Sequence, residues 1–187
     1  QRYVNLNSRQ EKLLEWAKGR KEELNKMQFI TGGSAGGIGD MVYATYENMI
    51  ASGIDPVTRE IISYAKINDV LDCYLDNRDP LLIISCYVDI LPVAVRIFRD
   101  AGVSCEFIDG TVIKTEAQEI ITRFQSGELD VVFGQSQVVA EGLDFSRADT
   151  TYYLNNSFSL NIREQTSMRT TNVNKTTPVE IIDICAK

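Results

Sequence analysis

Apolar positions along this chain change their period near residue 80. Upstream, Leu13, Leu14, Ala17, Leu24 and Met27 recur at roughly helical spacing, and Ser8 with Glu11 forms a capping-box pair that predicts a helix start ahead of them. Five glycines, Gly32, Gly33, Gly36, Gly37 and Gly39, crowd the next stretch and predict a loop. Residues 40–52 predict a second helix, closed by Gly53 and broken by Pro56, and Ile67, Val70, Leu71 and Leu75 predict a third that ends before Pro80. Downstream the apolar runs shorten and become continuous. Residues 81–86 predict a buried strand, and 90–101 an amphipathic helix that ends at Gly102. Further strands are predicted over 105–108, 130–133, 151–154 and 179–184. Thr115 and Gln118 form a second capping box ahead of Ile120, Ile121 and Phe124, with Gly127 as the stop. Strand–helix alternation with strands this apolar predicts an α/β fold with a parallel central sheet covered on both faces. The expected organisation is a helical preface with a glycine-rich loop over 1–79 and an α/β domain over 80–187. Ligands of such sheets sit at the carboxyl ends of the strands, so the loops after Phe133 and Leu154 are the places to search.

Composition removes several function classes. The chain has 187 residues, 44% of them hydrophobic and 24% charged, enough to bury a core and too apolar for disorder. Its formal net charge of −7 argues against a broad nucleic-acid footprint, so contacts of that kind must come from a few local groups. With no histidine, Ser-His-Asp and Cys-His catalysis are excluded. Cys73, Cys86, Cys105 and Cys185 are far apart and form no Cys-x-x-Cys pair, so no metal ligand is expected among them. Cys86 and Cys105 lie in apolar segments, which predicts buried, reduced thiols. There is no signal peptide and no apolar run long enough for a bilayer, so a soluble intracellular protein without a membrane partner is expected. The chain opens on Gln1, as a fragment of a longer protein would.

The segment with the most chemistry runs from Ser136 through Gln137, Val138, Val139, Ala140, Glu141, Gly142 and Leu143 to Asp144 and Phe145, directly after a predicted strand. A glycine after a short helical turn lets the backbone approach a ligand closely. The Asp144 carboxylate can accept hydrogen bonds from a ribose hydroxyl, and the Ser136 hydroxyl can donate to a phosphate. Taken alone, the same residues also suit an ordinary strand–loop–helix joint.

This segment resembles motif V of superfamily 2 helicases and translocases. Leu82-Ile83-Ile84-Ser85 is similar to motif IV, and Ile108-Asp109-Gly110-Thr111 followed by Thr122-Arg123-Phe124-Gln125 looks like the strand, turn and helix end between them. Gln165-Thr166-Ser167-Met168-Arg169 resembles the first half of motif VI, and Thr177-Pro178-Val179 the strand entry after it. The ordered set, over residues 60–184, is closest to the Swi/Snf-type branch, in which Lys66-Ile67-Asn68-Asp69-Val70-Leu71 also has a counterpart. The resemblance implies a three-layer RecA-like lobe, the second motor lobe of an ATP-dependent helicase or translocase. ATP with Mg2+ would be held mainly by a first lobe of the same polypeptide, and the track would be nucleic acid, DNA ahead of RNA. It implies that Gly142 and Asp144 face the nucleotide, that Gln165 and Arg169 line the cleft between lobes as catalytic groups, and that Ser85, Thr111 and Ser136 touch the nucleic-acid backbone.

Three departures weaken the match to an active motor. Asn172 stands where the second motif VI arginine, the arginine finger, is expected, and Asn174-Lys175 replaces a Gly-Gln pair. Ala117 also stands where the family carries an arginine. Arg169 is therefore open to two readings, finger or plain ion pair. Loosened motifs in a compact motor would suit a phage or other mobile element. Two other functions remain in play. The glycine run resembles the fingerprint of short-chain dehydrogenases, which would make the chain an NAD(P)-dependent oxidoreductase. However, the run lacks a good preceding strand, and no Tyr-x-x-x-Lys pair follows. The other alternative is a RecA-like module that binds without catalysis. Trp16, Tyr43, Tyr46, Tyr64, Tyr74, Tyr152 and Tyr153 could stack bases, although core packing suits most of them, with one ring of the Tyr152-Tyr153 pair reaching a surface.

Overall fold

The structure, a computed structural model, describes residues 1–30, 38–171 and 175–187. These form two compact units, one of residues 1–3 and 66–185 and one of residues 4–65 and 186–187.

The smaller unit is built on two helices, α1 (Ser8–Ile30) and α2 (Ile38–Ala51). The cap of α1 sits one residue earlier than expected. Asn7 Oδ1 accepts from Gln10 N at 2.9 Å and Gln10 Oε1 accepts from Asn7 N at 2.9 Å, so these two, and not Ser8 with Glu11, form the reciprocal box. Gln10 is buried and its amide also donates to Ile50 O at 2.6 Å, which fixes the register of α1 on α2. Trp16 stacks on Tyr46, with ring centroids 5.5 Å apart. Ile38 and Gly39 begin α2, so the helix starts inside the stretch expected to be loop, while Gly32, Gly33, Gly36 and Gly37 lie outside the described residues.

The larger unit alternates strand and helix as the apolar runs predict. After α3 (Ala65–Asn77) come β2 (Leu81–Ser85), α4 (Ile90–Asp100), β3 (Cys105–Ile108), α5 (Lys114–Ser126), β4 (Val131–Gln135), α6 (Ser136–Ala140), β5 (Thr150–Tyr153), α7 (Leu160–Ser167), a 3-10 turn (Met168–Thr170) and β6 (Glu180–Ala186). With β1 (Arg2–Val4) these strands form a six-stranded sheet in the order β1-β6-β5-β2-β4-β3. All the pairings from β6 to β3 are parallel, with Ile83 level with both Phe133 and Tyr152. The second expected capping box does not form. α5 starts at Lys114, which draws Thr115 into the first turn, and Ile113 at the cap makes no side-chain hydrogen bond.

β2 is buried at all five positions. Its side chains alternate between two helix layers. Leu82 and Ile84 join Val132, Ile120, Ile121, Phe124 and Val139, which brings α5 and α6 onto one face. On the other face Phe98 of α4 meets Phe133 edge-on at 5.0 Å and Tyr74 of α3 at 6.3 Å. This is the three-layer α/β arrangement expected. Each of these fully buried rings and aliphatic side chains contributes about 1.5–3 kcal/mol. Tyr152 and Tyr153 are both buried, because β5 is an interior strand with a layer on each face.

One close approach in this packing places the candidate site. Gly134 in β4 has no side chain because Val139 of α6 occupies that space: a Cβ on Gly134 would stand 2.3 Å from Val139 Cγ2. Gly134→Ala should therefore destabilise the chain by about 1–3 kcal/mol through overpacking. Adding Val139→Ala should recover part of that loss. Urea denaturation of the three variants checks this, and simple addition of the two single losses would refute the contact.

Candidate functional site

Strand order reverses at β2, whose neighbours are β5 on one side and β4 on the other. Polar groups therefore collect at the carboxyl ends of β2, β5, β4 and β3. Asn155, directly after β5, is 5% exposed. Its Oδ1 accepts from Cys86 N at 2.7 Å and its Nδ2 donates to Ser85 Oγ at 3.1 Å, which ties the ends of β2 and β5 together. Ser85 is fully buried, and its hydroxyl also bonds the backbone of Tyr87, accepting from the amide at 3.0 Å and donating to the carbonyl at 2.9 Å. The Ser85 hydroxyl is thus spent on shaping this loop. Burial pushes the Cys86 and Cys105 thiols up to about 11, so both stay protonated at neutral pH.

Beyond β3, the Asp109 carboxylate accepts from Thr111 N at 2.9 Å and from its hydroxyl at 2.6 Å, and Gln135 Oε1 accepts from Gly110 N at 3.0 Å. Thr111 is exposed on this turn. Ser136 is buried at the first position of α6, with its hydroxyl 3.1 Å from Gln137 Oε1. Ser85, Thr111 and Ser136 therefore share one edge of the sheet, but Thr111 alone presents its side chain outward.

The loop after α6 is open and heavily braced. Gly142 has φ +106°, in the region that favours glycine, and no heavy atom stands within 4 Å of where its Cβ would be. The backbone there is free for a ligand to approach. Asp144 is exposed, and its Oδ1 accepts from Ser146 N at 2.8 Å, while Gln125 Nε2 from α5 donates to Asp144 O at 2.9 Å. Arg147 anchors the far end by donating to Leu129 O at 2.7 Å and Phe124 O at 3.0 Å.

Arg169 closes this loop from the other side. Its guanidinium donates to Ala140 O, and its own carbonyl accepts from Phe145 N at 3.0 Å. Among the described residues no carboxylate pairs with it, and its buried Nε has no hydrogen-bond partner. An unmade buried hydrogen bond of this kind costs about 1–3 kcal/mol. Gln165 is exposed on α7, one turn before Arg169. Ser159 caps that helix by accepting from Ile162 N at 3.4 Å. Asn172 lies outside the described residues. Among the described residues, no cluster of three His, Cys, Asp or Glu side chains could hold a metal ion, and no helix is long and apolar enough to cross a membrane.

Residues 65–174 match the helicase conserved C-terminal domain. The chain belongs to that family. Its fold is also that of solved SWI2/SNF2 ATPase lobes. The Sulfolobus solfataricus SWI2/SNF2 ATPase core in complex with dsDNA matches with a TM-score of 0.71 at 17% identity, over 98% of this chain and 40% of that one. The C-terminal domain of the Sulfolobus solfataricus SWI2/SNF2 ATPase matches at 0.70 and 15%, over 98% and 77%. The C-terminal part of the Fun30 ATPase domain matches at 0.62 and 16%, over 88% and 50%. The chain therefore spans about half or less of the Fun30 part and of the dsDNA-bound core. A comparison with curated proteins gave no match.

In this helicase C-terminal lobe the loop bearing Gly142 and Asp144 and the segment bearing Gln165 and Arg169 are clasped together. The dehydrogenase alternative needs a buried strand ahead of the glycine run, and α1 stands there instead. Sequence reasoning missed Asn155, Gln125 and Lys66 as organisers of the site. Asn155 had a signal, since it opens the loop after Leu154 that the strand pattern pointed to. Lys66 had none, because its partner is a backbone carbonyl 88 residues away: its buried Nζ donates to Leu154 O at 2.6 Å.

Burial lowers the Lys66 pKa from 10.5 to about 8, with Cys185, Cys86 and Asp183 acting in the opposite sense. Between those two values the unfolded chain holds the proton more tightly than the folded one, so this group makes stability rise with pH across the window. Lys66→Met removes the effect. The stability of the natural protein relative to Lys66→Met should grow as pH rises from 8 towards 10.5, measured by urea unfolding of both at the two ends. A constant difference would show that the buried ammonium keeps its ordinary pKa.

Proposed function

We propose that this lobe is the second half of a nucleic-acid-dependent ATPase motor and works with a first RecA-like lobe of the same polypeptide. The observation that carries the reading is the clasp between the Gly142–Asp144 loop and Arg169, which holds an open glycine backbone and an exposed carboxylate beside a guanidinium that no described carboxylate neutralises. In this reading Gly142 lets a nucleotide lie against the backbone, and Asp144 receives the ribose hydroxyls through the oxygen not bonded to Ser146. Arg169 and Gln165 face the phosphates across the cleft, with Arg169 serving as the finger in place of Asn172. ATP and Mg2+ are held mainly by the first lobe, whose groups supply the metal ligands.

Nucleic acid runs along the carboxyl edge of the sheet. Thr111 meets phosphate by turning its exposed hydroxyl away from the Asp109 carboxylate that it bonds here. Ser85 and Ser136 act through the loops they shape, since their own hydroxyls are engaged. DNA is favoured over RNA because a structural neighbour, the Sulfolobus SWI2/SNF2 ATPase core, is in complex with dsDNA. The net charge of −7 suits a few such contacts and not a broad basic surface.

This chain alone should not hydrolyse ATP, because the phosphate loop belongs to the first lobe. Phosphate release by a clean preparation would overturn that assignment. In the two-lobe protein, Arg169→Ala should lower nucleic-acid-stimulated kcat by about 100-fold or more while DNA affinity stays within about threefold. Stimulated ATPase and DNA-binding titrations measure the two separately. Survival of the ATPase would make Arg169 a structural residue.

A further inference from the structure

Lys175 stands where the related motors carry the second residue of a Gly-Gln pair, and it does something specific in this chain. Its side chain is 10% exposed. Its ammonium has three N–H donors, and three acceptors converge on it: Ser146 O at 2.9 Å, Ala148 O, and Asp149 Oδ1 at 3.2 Å. Ser146 is the residue whose amide holds Asp144 Oδ1 at 2.8 Å, and whose hydroxyl lies 3.5 Å from Gln125 Nε2. A chain of contacts thus runs from the ammonium to the Ser146 carbonyl and, through the backbone of that residue, from its amide to the Asp144 carboxylate. Gln125 fixes the other side of the same residue by donating to Asp144 O.

We infer that Lys175 is a positioning residue that sets the rotamer of Asp144 towards the nucleotide ribose. The inference rests on the two-lobe motor reading given above. Lys175 touches no reacting atom. Its ammonium replaces water on the Ser146 and Ala148 carbonyls, which immobilises the turn after Asp144 and keeps one carboxylate oxygen pointed away from Ser146. The motif VI exit is thereby fastened to the nucleotide loop by a charge. Arg169 already fastens its entry through Ala140 O and Phe145 N.

The test compares ATP with 2′,3′-dideoxy-ATP in the two-lobe protein, for the natural sequence, Lys175→Met, Asp144→Ala and the double variant. Lys175→Met should raise KM for ATP on the order of tenfold with kcat much less affected, and should leave KM for the dideoxy nucleotide unchanged. In the Asp144→Ala background, Lys175→Met should have no further effect. Lys175→Gln, which keeps two N–H donors, should fall between the two and replaces Lys175→Met if that variant does not fold. Equal rises in KM for both nucleotides would mean general loosening of the loop and would overturn the proposal, as would an ATP KM within about twofold of the natural protein. Absence of nucleic-acid-dependent ATPase in the natural two-lobe protein would overturn the motor reading itself and remove the role of Lys175 with it.

Discussion

A parallel strand buried on both faces must satisfy its backbone within the sheet and hide all of its side chains in the helix layers beside it. β2 meets this constraint at every position, paired to β4 and β5 and covered by α4 on one face and α5 on the other. Water and ligands can then reach polar groups at the strand ends but not along the strand. The carboxyl ends of β2, β3, β4 and β5 become one row of loops. Gly134 tightens the arrangement by letting α6 sit directly on β4, just ahead of the Gly142–Asp144 loop.

Helix ends, connecting loops and an edge strand leave backbone carbonyls that no neighbouring strand pairs. The chain answers with cations. Lys66 serves Leu154 O, Arg99 serves Cys105 O, Arg147 serves Phe124 O and Leu129 O, Arg169 serves Ala140 O, and Lys175 serves Ser146 O and Ala148 O. In a chain of net charge −7, cations committed to carbonyls are withdrawn from any phosphate surface. This economy explains how an acidic lobe keeps a well-defined site. It also bears on Arg169, whose guanidinium is half-committed, with one nitrogen bracing the loop and Nε buried and unmet.

Much of the fold was legible because apolar period reports burial directly. The continuous run at 81–86, the amphipathic stretch at 90–101 and the short strands after them appear within a residue or two of their predicted places. The errors have local causes. Ser8 with Glu11 and Asn7 with Gln10 offer overlapping acceptor pairs, and the buried bond from Gln10 to Ile50 O selects the second. Thr115 failed as a cap because the helix began two residues sooner, with Ile113 at the cap. Gly142, Asp144, Gln165 and Arg169 could be named as candidates through their resemblance to motifs V and VI. The engagement of Ser85 by Asn155 and Tyr87 could not, because it depends on which strand ends become neighbours.

The sequence by itself determined an α/β sheet domain, which is written in local apolar period, and its resemblance to superfamily 2 motif segments implied the helicase C-terminal kind. The tertiary structure alone decided how the site is held. Sheet order brings β5 beside β2, so Asn155 meets Ser85 and Cys86. Packing of α6 against the turn after α7 brings Ala140 and Phe145 to Arg169. The return of the chain at Lys175 brings an ammonium onto Ser146. Most of these contacts use a backbone group far away in sequence. Every residue carries such a backbone group, so residue types alone cannot say which one will be met.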